Sequence, residues 1–200
     1  MNYPSTIKNL IECFKKLPSI GEKTAERLAL SVLNLDEETI ELFSKSLKDT
    51  ITKIKKCKKC NNLTENDFCE ICLDKNRNLK TICVVENLRN INLFEKVGSY
   101  NGLYFVLNGL ISPLDGVNPE DINIEQLIKR IDEEKIKEVI IAVKPSIEGE
   151  TTALYIVKLL EKKDVIVSKI ANGVPIGADM EYIDSLTLEK ALENRNKISE

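Results

Sequence analysis

The 200-residue sequence contains no histidine and no tryptophan, and aromatic residues make up only 5% of it. The absence of histidine excludes Ser-His-Asp triads, histidine acid–base catalysis and histidine metal ligands together. Long apolar segments are also absent: the longest runs are about five residues, as at 139–143, against the roughly 20 that cross a bilayer. The N-terminal residues lack the charged-then-apolar pattern of a secretion signal. We therefore expect a cytoplasmic protein without a membrane segment.

The net charge of −3 is unevenly distributed along the chain. Residues 1–60 carry 12 Lys and Arg against 8 Asp and Glu, a formal +4, whereas residues 61–200 carry 17 against 24, a formal −7. A basic segment on an acidic body is typical of a protein that holds nucleic acid at one end. A solvated helix face would show the same run of charge, and this alternative stays open.

Cysteines form a C-x2-C-x8-C-x2-C pattern at Cys57, Cys60, Cys69 and Cys72. Two such pairs supply four thiolates to one tetrahedral zinc and leave no open coordination position, so the predicted ion is structural. A disulfide framework is disfavoured in a reducing compartment, and an iron–sulfur cluster is the chemical alternative.

Lysines crowd the first of these cysteine pairs, and we expect them to offset thiolate charge. They are Lys55, Lys56, Lys58 and Lys59. The remaining cysteines, Cys13 and Cys83, lie in apolar patterns and are predicted to be small core residues.

Hydrophobic periodicity divides the chain into a helical N-terminal part and an alternating body. Helices are predicted over residues 6–17 and 22–33, and from the N-cap Asp36 towards Ile54. Beyond the cysteines, strands are predicted at residues 81–85, 103–107, 138–143 and 165–168. Helices are predicted between these strands and at residues 186–192. The alternation predicts a mostly parallel sheet with helices on both faces.

Residues 17–21 (LPSIG) look like the hairpin of a helix-hairpin-helix motif, P-G-I-G, with Ser19 in place of the first glycine. Glycines in that motif let the backbone approach a phosphate, and the following helix points free N–H groups at the anion. Lys23 and Arg27 are spaced i, i+4, so they share one helix face. The candidate DNA contacts are Ser19, Gly21, Lys23 and Arg27. An ordinary helical hairpin with exposed charges is the alternative.

Carboxylates follow two of the predicted strands. Glu86 comes directly after strand 81–85, and Glu148 and Glu150 follow strand 138–143. Residues just beyond the ends of parallel strands line the ligand crevice, where carboxylates could hold Mg²⁺. The alternative is that these acids lie in solvated loops and that Glu150 simply caps the next helix.

Glycine and proline also mark residues 173–177 (GVPIG). A phosphate-binding loop would need Lys and Ser or Thr after its last glycine. Because this lysine is missing, the segment is interpreted as a plain turn.

Several motifs occur in a specific order: LPSIGEKTAERLA, CxxC…CxxC, ICVVEN, YNGLYFVLNGLISPLDGVNPEDINI, IEGETTALYI and GVPIGADMEYIDSLTLEKALENR. Over essentially the whole chain, this ordered set resembles the bacterial RecR family of recombination mediators. The resemblance implies an α/β protein in four parts. These are a helix-hairpin-helix region at 1–55, a four-cysteine zinc finger at 56–76, a Toprim-type parallel-sheet domain at 77–170, and a C-terminal Walker B-like segment and helix at 171–200.

The resemblance also implies a function. It implies a non-enzymatic, ring-like homotetramer that acts as a sequence-independent DNA clamp near the nucleoid. The clamp would work with RecO and RecF to load RecA onto gapped or single-stranded DNA. DNA contacts are implied at Lys23 and Arg27, and contacts with RecO, or a weak Mg²⁺ site, at Glu86, Glu148 and Glu150. The segment 173–184 is implied to contribute ring contacts.

The sequence departs from the family pattern at identifiable positions. A Toprim catalytic centre has Asp-x-Asp where this chain has Glu148-Gly149-Glu150. Asp is common in the family where this chain has Asn87, and Asn is common where it has Lys144. His is common at the positions of Phe105 and Asn172. These residues predict weak Mg²⁺ binding and a mediator rather than a phosphoryl-transfer enzyme. A Mg²⁺-dependent Toprim nuclease or primase-like enzyme, and a purely structural zinc protein, remain as alternatives.

Overall fold

The computed structural model describes residues 3–171 and 173–195. The chain divides into two compact units, Met1–Ile54 and Lys55–Glu200. The α-helices are α1 (Ser5–Lys15), α2 (Glu22–Ser31), α3 (Glu37–Lys53), α4 (Glu70–Leu73), α5 (Leu88–Val97), α6 (Ile124–Glu134), α7 (Ile147–Leu160) and α8 (Ser185–Glu193). The strands are β1 (Lys55–Lys56), β2 (Leu63–Thr64), β3 (Asn78–Val85), β4 (Gly102–Val106), β5 (Glu138–Ala142) and β6 (Ile166–Lys169). None of the described helices combines the length and the hydropathy needed to cross a membrane.

The N-terminal unit is helical, as predicted. Ile11 of α1 packs against Ala25 and Ala29 of α2, and both alanines are completely buried. Because alanine is small, the two helices can approach closely at this point. Asp36 caps α3, its carboxylate accepting a hydrogen bond from the backbone N–H of Thr39 at 2.8 Å. The three helices predicted here are therefore confirmed.

Cys13 contradicts its prediction as a core residue, because it is exposed. The helix α1 buries Ile11, and an α-helix turns by about 100° per residue. Two positions further on, Cys13 points away from the packed face. The position of Cys13 around the helix axis therefore predicts its exposure better than its residue type does.

A four-stranded parallel sheet forms the body of the second unit, in the order β4-β3-β5-β6. Alternate residues of β3 face opposite sides of this sheet. Ile82 and Val84 join the core under α6 and α7, whereas Cys83 and Val85 join the core under α5. The predicted parallel sheet with helices on both faces is confirmed, and Cys83 is buried as expected.

The cysteine-rich segment attaches to this sheet through its backbone. Its strands β1 and β2 pair antiparallel. The N–H of Val106, the last residue of β4, donates to the carbonyl of Cys60 at 2.9 Å. Asn61, buried with a φ of 62°, donates through its side chain to the Val106 carbonyl at 3.3 Å. The end of β4 thus has its backbone groups satisfied by the cysteine module.

The loop after β4 is held against α7 by a buried hydroxyl. Thr152 is completely buried, and its Oγ1 accepts the N–H of Ile111 at 2.9 Å while donating to the carbonyl of Glu148 at 2.7 Å. The start of α7 also lies very close to the chain before it, since a Cβ on Gly149 would lie 2.0 Å from the Lys144 carbonyl oxygen. These contacts fix the wall of the crevice at the ends of the strands.

Replacing Thr152 by valine tests this attachment. The Thr152→Val variant keeps the side-chain shape but leaves the buried Ile111 N–H without its acceptor, which costs about 1–3 kcal/mol. We expect that loss in the free energy of unfolding measured by urea denaturation. Thr151→Val is the matched control, because Thr151 makes the same hydroxyl bond to its own helix, to Ile147 at 2.8 Å, at an exposed site. Equal stability of the two variants would contradict the assignment.

Candidate functional site

The hairpin between α1 and α2 contains a residue in the left-handed region. Ser19 has a φ of 66°, and the turn is closed by the N–H of Ile20 donating to the Leu17 carbonyl at 3.3 Å. Glycine adopts this conformation without strain, which explains why the motif usually has glycine here. Gly21 is extended and caps α2, and a Cβ built on it meets no atom within 4 Å. The approach to the first turn of α2 is therefore open.

Lys23 and Arg27 lie on the exposed face of α2, opposite the buried alanines. Neither forms a salt bridge with an acid in the described part of the chain. The nearby acids of α2 are engaged elsewhere. Glu22 pairs with Lys15 at 2.6 Å, and Glu26 accepts the Tyr3 hydroxyl at 2.5 Å. The two cations therefore remain available for an external anion.

The four cysteine sulfurs lie within 4.8 Å of one another. The sulfurs of Cys60 and Cys69 are 3.5 Å apart. This is close to the edge of about 3.8 Å expected in a tetrahedron with Zn–S bonds of about 2.3 Å, and far from the S–S bond of about 2.0 Å in a disulfide. The backbone also supports the sulfurs, because the N–H of Cys69 donates to Cys57 Sγ at 3.3 Å. Both the residue types and their spacing therefore fit a structural zinc ion.

The crowded sulfurs resist losing all their protons without a cation. Hydrogen bonding between Cys57 and Cys60 lowers the pKa of the Cys57 thiol and raises the pKa of the Cys60 thiol. The pKa of Cys72 is also raised, first by its hydrogen bond with Cys57. Titrations this close are properties of the group rather than of one residue. A divalent cation at the centre removes the conflict, because it stabilises all four thiolates together.

Three of the four lysines beside the first cysteine pair are paired with carboxylates in the folded chain. Lys55 and Lys58 both pair with Asp67, at 3.3 and 2.8 Å, and Lys59 pairs with Glu134 at 2.6 Å. Carboxylates compete for these flexible cations, and three of the four predicted charge-balancing lysines are occupied in this way.

Arg130 of α6 reaches a sulfur of the cysteine cluster, and it was not among the residues predicted from the sequence. Its Nη2 lies 3.8 Å from Cys72 Sγ as a hydrogen-bond donor. A signal was present: α6 buries Leu127, Arg130 and Ile131 together, so a cation occupies a position in the apolar stripe. A buried cation needs polar partners, and one partner of Arg130, Cys72, is 58 residues away in sequence.

Two of the three predicted acidic residues meet at the end of the sheet. Glu86 and Glu148 line a cavity of about 460 Å³, together with Lys144, Asp115 and Asp121. The Ser146 hydroxyl donates to Glu148 at 2.6 Å and holds the pKa of that carboxyl below its usual value. The two aspartates lie in the long loop after β4 and were not among the residues predicted from the sequence.

Glu150 lies apart from this pair. Its carboxylate forms an ion pair with Lys169 at 2.5 Å and borders a different cavity, with α8. Among residues 3–171 and 173–195, the group of Cys, Asp and Glu side chains close enough to share a metal ion is the four-cysteine cluster. The arrangement therefore gives no support to a Mg²⁺ site at the three glutamates.

The C-terminal segment uses its acids as helix caps. Asp184 accepts the N–H of Thr187 at 2.9 Å at the start of α8, which confirms the predicted final helix. Asp179 likewise caps a short 3-10 helix, Met180–Tyr182. Gly177, with a φ of 81°, occupies the turn before it. Asn172, one of the departures from the family pattern, lies outside the described residues.

Comparisons with known proteins agree with this order of parts. Family models described as RecR helix-hairpin-helix, RecR four-cysteine zinc finger domain, Toprim domain and RecR C-terminal match residues 7–51, 54–74, 80–171 and 173–196. A curated relative, "Recombination protein RecR" of Staphylococcus saprophyticus subsp. saprophyticus, is 46% identical over 198 residues, covering 99% of this chain and 100% of the relative. The fold class predicted from the sequence is confirmed, and the chain belongs to the RecR family.

Proposed function

We propose that this protein is a non-catalytic DNA clamp that acts in recombinational repair. The observation that carries the proposal is the open hairpin turn beside Lys23 and Arg27, two cations without a salt bridge among the described residues, in a RecR-family chain. The proposed cellular location is the cytoplasm, at the nucleoid, because that is where the DNA is.

DNA binding would use the backbone as well as side chains. The first N–H groups of α2 have no partners within the helix, and a phosphate oxygen can accept from them. Gly21 leaves room for the anion, and Ser19 adds a hydroxyl at the turn. Lys23 and Arg27 would contact the flanking phosphates. Such contacts hold a strand without distinguishing its sequence.

We assign one structural zinc per chain to Cys57, Cys60, Cys69 and Cys72. The four sulfurs are mutually close, the match to the zinc finger model of the family spans them, and the full set leaves no coordination position for a substrate. The metal would stabilise the module that meets the end of β4, rather than take part in a reaction.

A mediator role fits the acidic end of the sheet better than catalysis does. Glu86 and Glu148 share a cavity with Asp115, Asp121 and Lys144, but among the described residues these carboxylates do not lie close enough together to hold one metal ion. Glu150 is paired with Lys169. A two-metal phosphoryl-transfer centre needs several convergent carboxylates to hold its ions. We therefore propose that Glu86, Glu148 and Glu150 contribute to a partner surface, with RecO as the partner.

We further propose a ring-shaped homotetramer that works with RecO and RecF in loading RecA. Exposed apolar side chains support self-association, because solitary soluble chains seldom leave such stretches uncovered. On α3 they are Leu42, Phe43, Leu47 and Ile51, and in the C-terminal part they are Ile176, Met180, Tyr182, Leu186 and Leu192. The four-part division at 1–55, 56–76, 77–170 and 171–200 stays a prediction.

Removing both cations of α2 tests the DNA site. In the Lys23→Ala/Arg27→Ala variant we expect most DNA binding to be lost. The salt dependence should also weaken, since each lost phosphate contact lowers the slope of log K against log salt by about 0.9 on duplex DNA. Fluorescence anisotropy with labelled DNA at several salt concentrations measures both quantities.

Lys158→Ala/Lys162→Ala provides the matched control for that experiment. It removes the same charge at the same spacing, from exposed positions of the other unit. We expect it to bind DNA nearly as the unmodified chain does. Unchanged binding by the Lys23/Arg27 variant, with folding and mass intact, would remove the hairpin from the DNA site.

Metal analysis tests the zinc assignment. The purified chain should contain one zinc, and Cys57→Ser should lose it and unfold or aggregate, because three thiolates cannot close the site. Cys13→Ser is the control, since Cys13 is an exposed cysteine of the other unit. It should retain a full complement of zinc. Well-folded protein without zinc would refute the assignment.

Solution mass tests the ring. Multi-angle light scattering should give four times the chain mass of 22.6 kDa. Replacing Phe43 and Leu47 on α3 by serine, to reduce the exposed apolar surface, should lower that mass. A monomer at micromolar concentration would exclude the tetramer.

A further inference from the structure

Arg130 makes four hydrogen bonds from a nearly buried position. Its side chain is only 6% exposed. Its Nε donates to Glu134 at 2.9 Å, its Nη1 donates to the carbonyls of Lys59 at 3.1 Å and Tyr104 at 3.0 Å, and its Nη2 donates to Cys72 Sγ at 3.8 Å. One guanidinium thus joins both halves of the cysteine module, the strand β4 and its own helix.

The acceptors of Arg130 lie on both cysteine pairs. Lys59 lies between Cys57 and Cys60, and Cys72 is the last residue of the second pair. The planar guanidinium presents five donors in a fixed geometry, so it can hold several acceptors at once, which a lysine ammonium on a flexible stem cannot reproduce. The position of one pair relative to the other is therefore fixed partly by Arg130.

The sulfur that Arg130 contacts is also the most accessible one of the cluster. Cys57, Cys60 and Cys69 are buried, whereas Cys72 is only partly buried. A thiolate at the edge of a zinc site is the one that solvent, chelators and electrophiles reach first. A donor with a full positive charge beside that sulfur withdraws electron density from it and makes it a poorer nucleophile.

We propose that Arg130 is a positioning residue of the zinc site that protects the Cys72 thiolate by a charge-assisted N–H···S hydrogen bond. It would slow both loss of the metal and attack at the accessible edge. Residues that bind metal ligands from outside the coordination sphere typically change metal affinity by about 10- to 100-fold when they are altered. The inference rests on zinc occupying the site, as proposed above.

Zinc release from the full-length protein tests this role. We expect Arg130→Gln to release zinc to excess 4-(2-pyridylazo)resorcinol on the order of 10-fold faster or more than the unmodified chain. Arg130→Lys keeps the charge but not the fork of donors, so it should also release zinc faster. It supplies the measurement if Arg130→Gln does not fold, with folding checked by circular dichroism.

Gln126→Ala is the matched control for loss of anchoring. Gln126 also holds the cysteine module, donating to the Lys58 carbonyl at 2.9 Å and accepting from Asn61 at 2.9 Å, but its partners are not sulfurs. In the cobalt-substituted protein, removing the Arg130 hydrogen bond should shift the sulfur-to-cobalt charge-transfer band to lower energy. Gln126→Ala should leave that band in place.

Repeating the measurement in a Cys72→His variant separates protection of the sulfur from structural support of the cysteine module. Cys72→His retains a zinc ligand but removes the sulfur that Arg130 contacts. Adding Arg130→Gln to it should then have little further effect on zinc release, which is the non-additivity expected of interacting groups. An equal acceleration in both backgrounds, or an unshifted cobalt band in Arg130→Gln, would overturn the proposal. Zinc missing from the unmodified chain would instead refute the metal assignment itself.

Discussion

The closeness of four sulfur atoms is the constraint on which the middle of this molecule depends. The segment between β1 and α4 has little core of its own beyond Phe68, Ile71 and the cysteines. Below about 40 residues, a metal or a disulfide is usually needed to hold a fold. A cation at the centre therefore orders the backbone that meets Val106, and disorder there would also expose the end of β4.

Patterns within single elements made most of the fold predictable. The strand β3 was recognised from a β-branched apolar run, and its alternation of Ile82 and Val84 with Cys83 and Val85 produced the predicted double-sided core. The zinc ligands were equally visible, because paired cysteines at short spacing need no knowledge of distant residues. What these features share is that their physical cause lies within a short stretch of sequence.

Features that depend on distant contacts could not be predicted in the same way. The role of Arg130 depends on α6 lying beside the cysteine module. Glu150 pairs with Lys169 and borders a different cavity from Glu86 and Glu148, an arrangement that only the folded sheet brings about. Three of the lysines near the cysteines pair with carboxylates for a related reason, because proximity in sequence does not show which carboxylates the fold brings near. The sequence therefore predicts which residues bind the zinc ion, whereas the charged groups around those residues can be assigned only from the structure.

The exposed position of Cys13 has a practical consequence. The other five cysteines are buried or belong to the metal cluster, so a maleimide dye added to the zinc-loaded protein should attach selectively at α1. That helix packs directly against α2, which carries the candidate DNA contacts. The native chain thus carries its own attachment point for a fluorophore, from which the proposed binding and release of a DNA strand can be followed in real time without altering any residue.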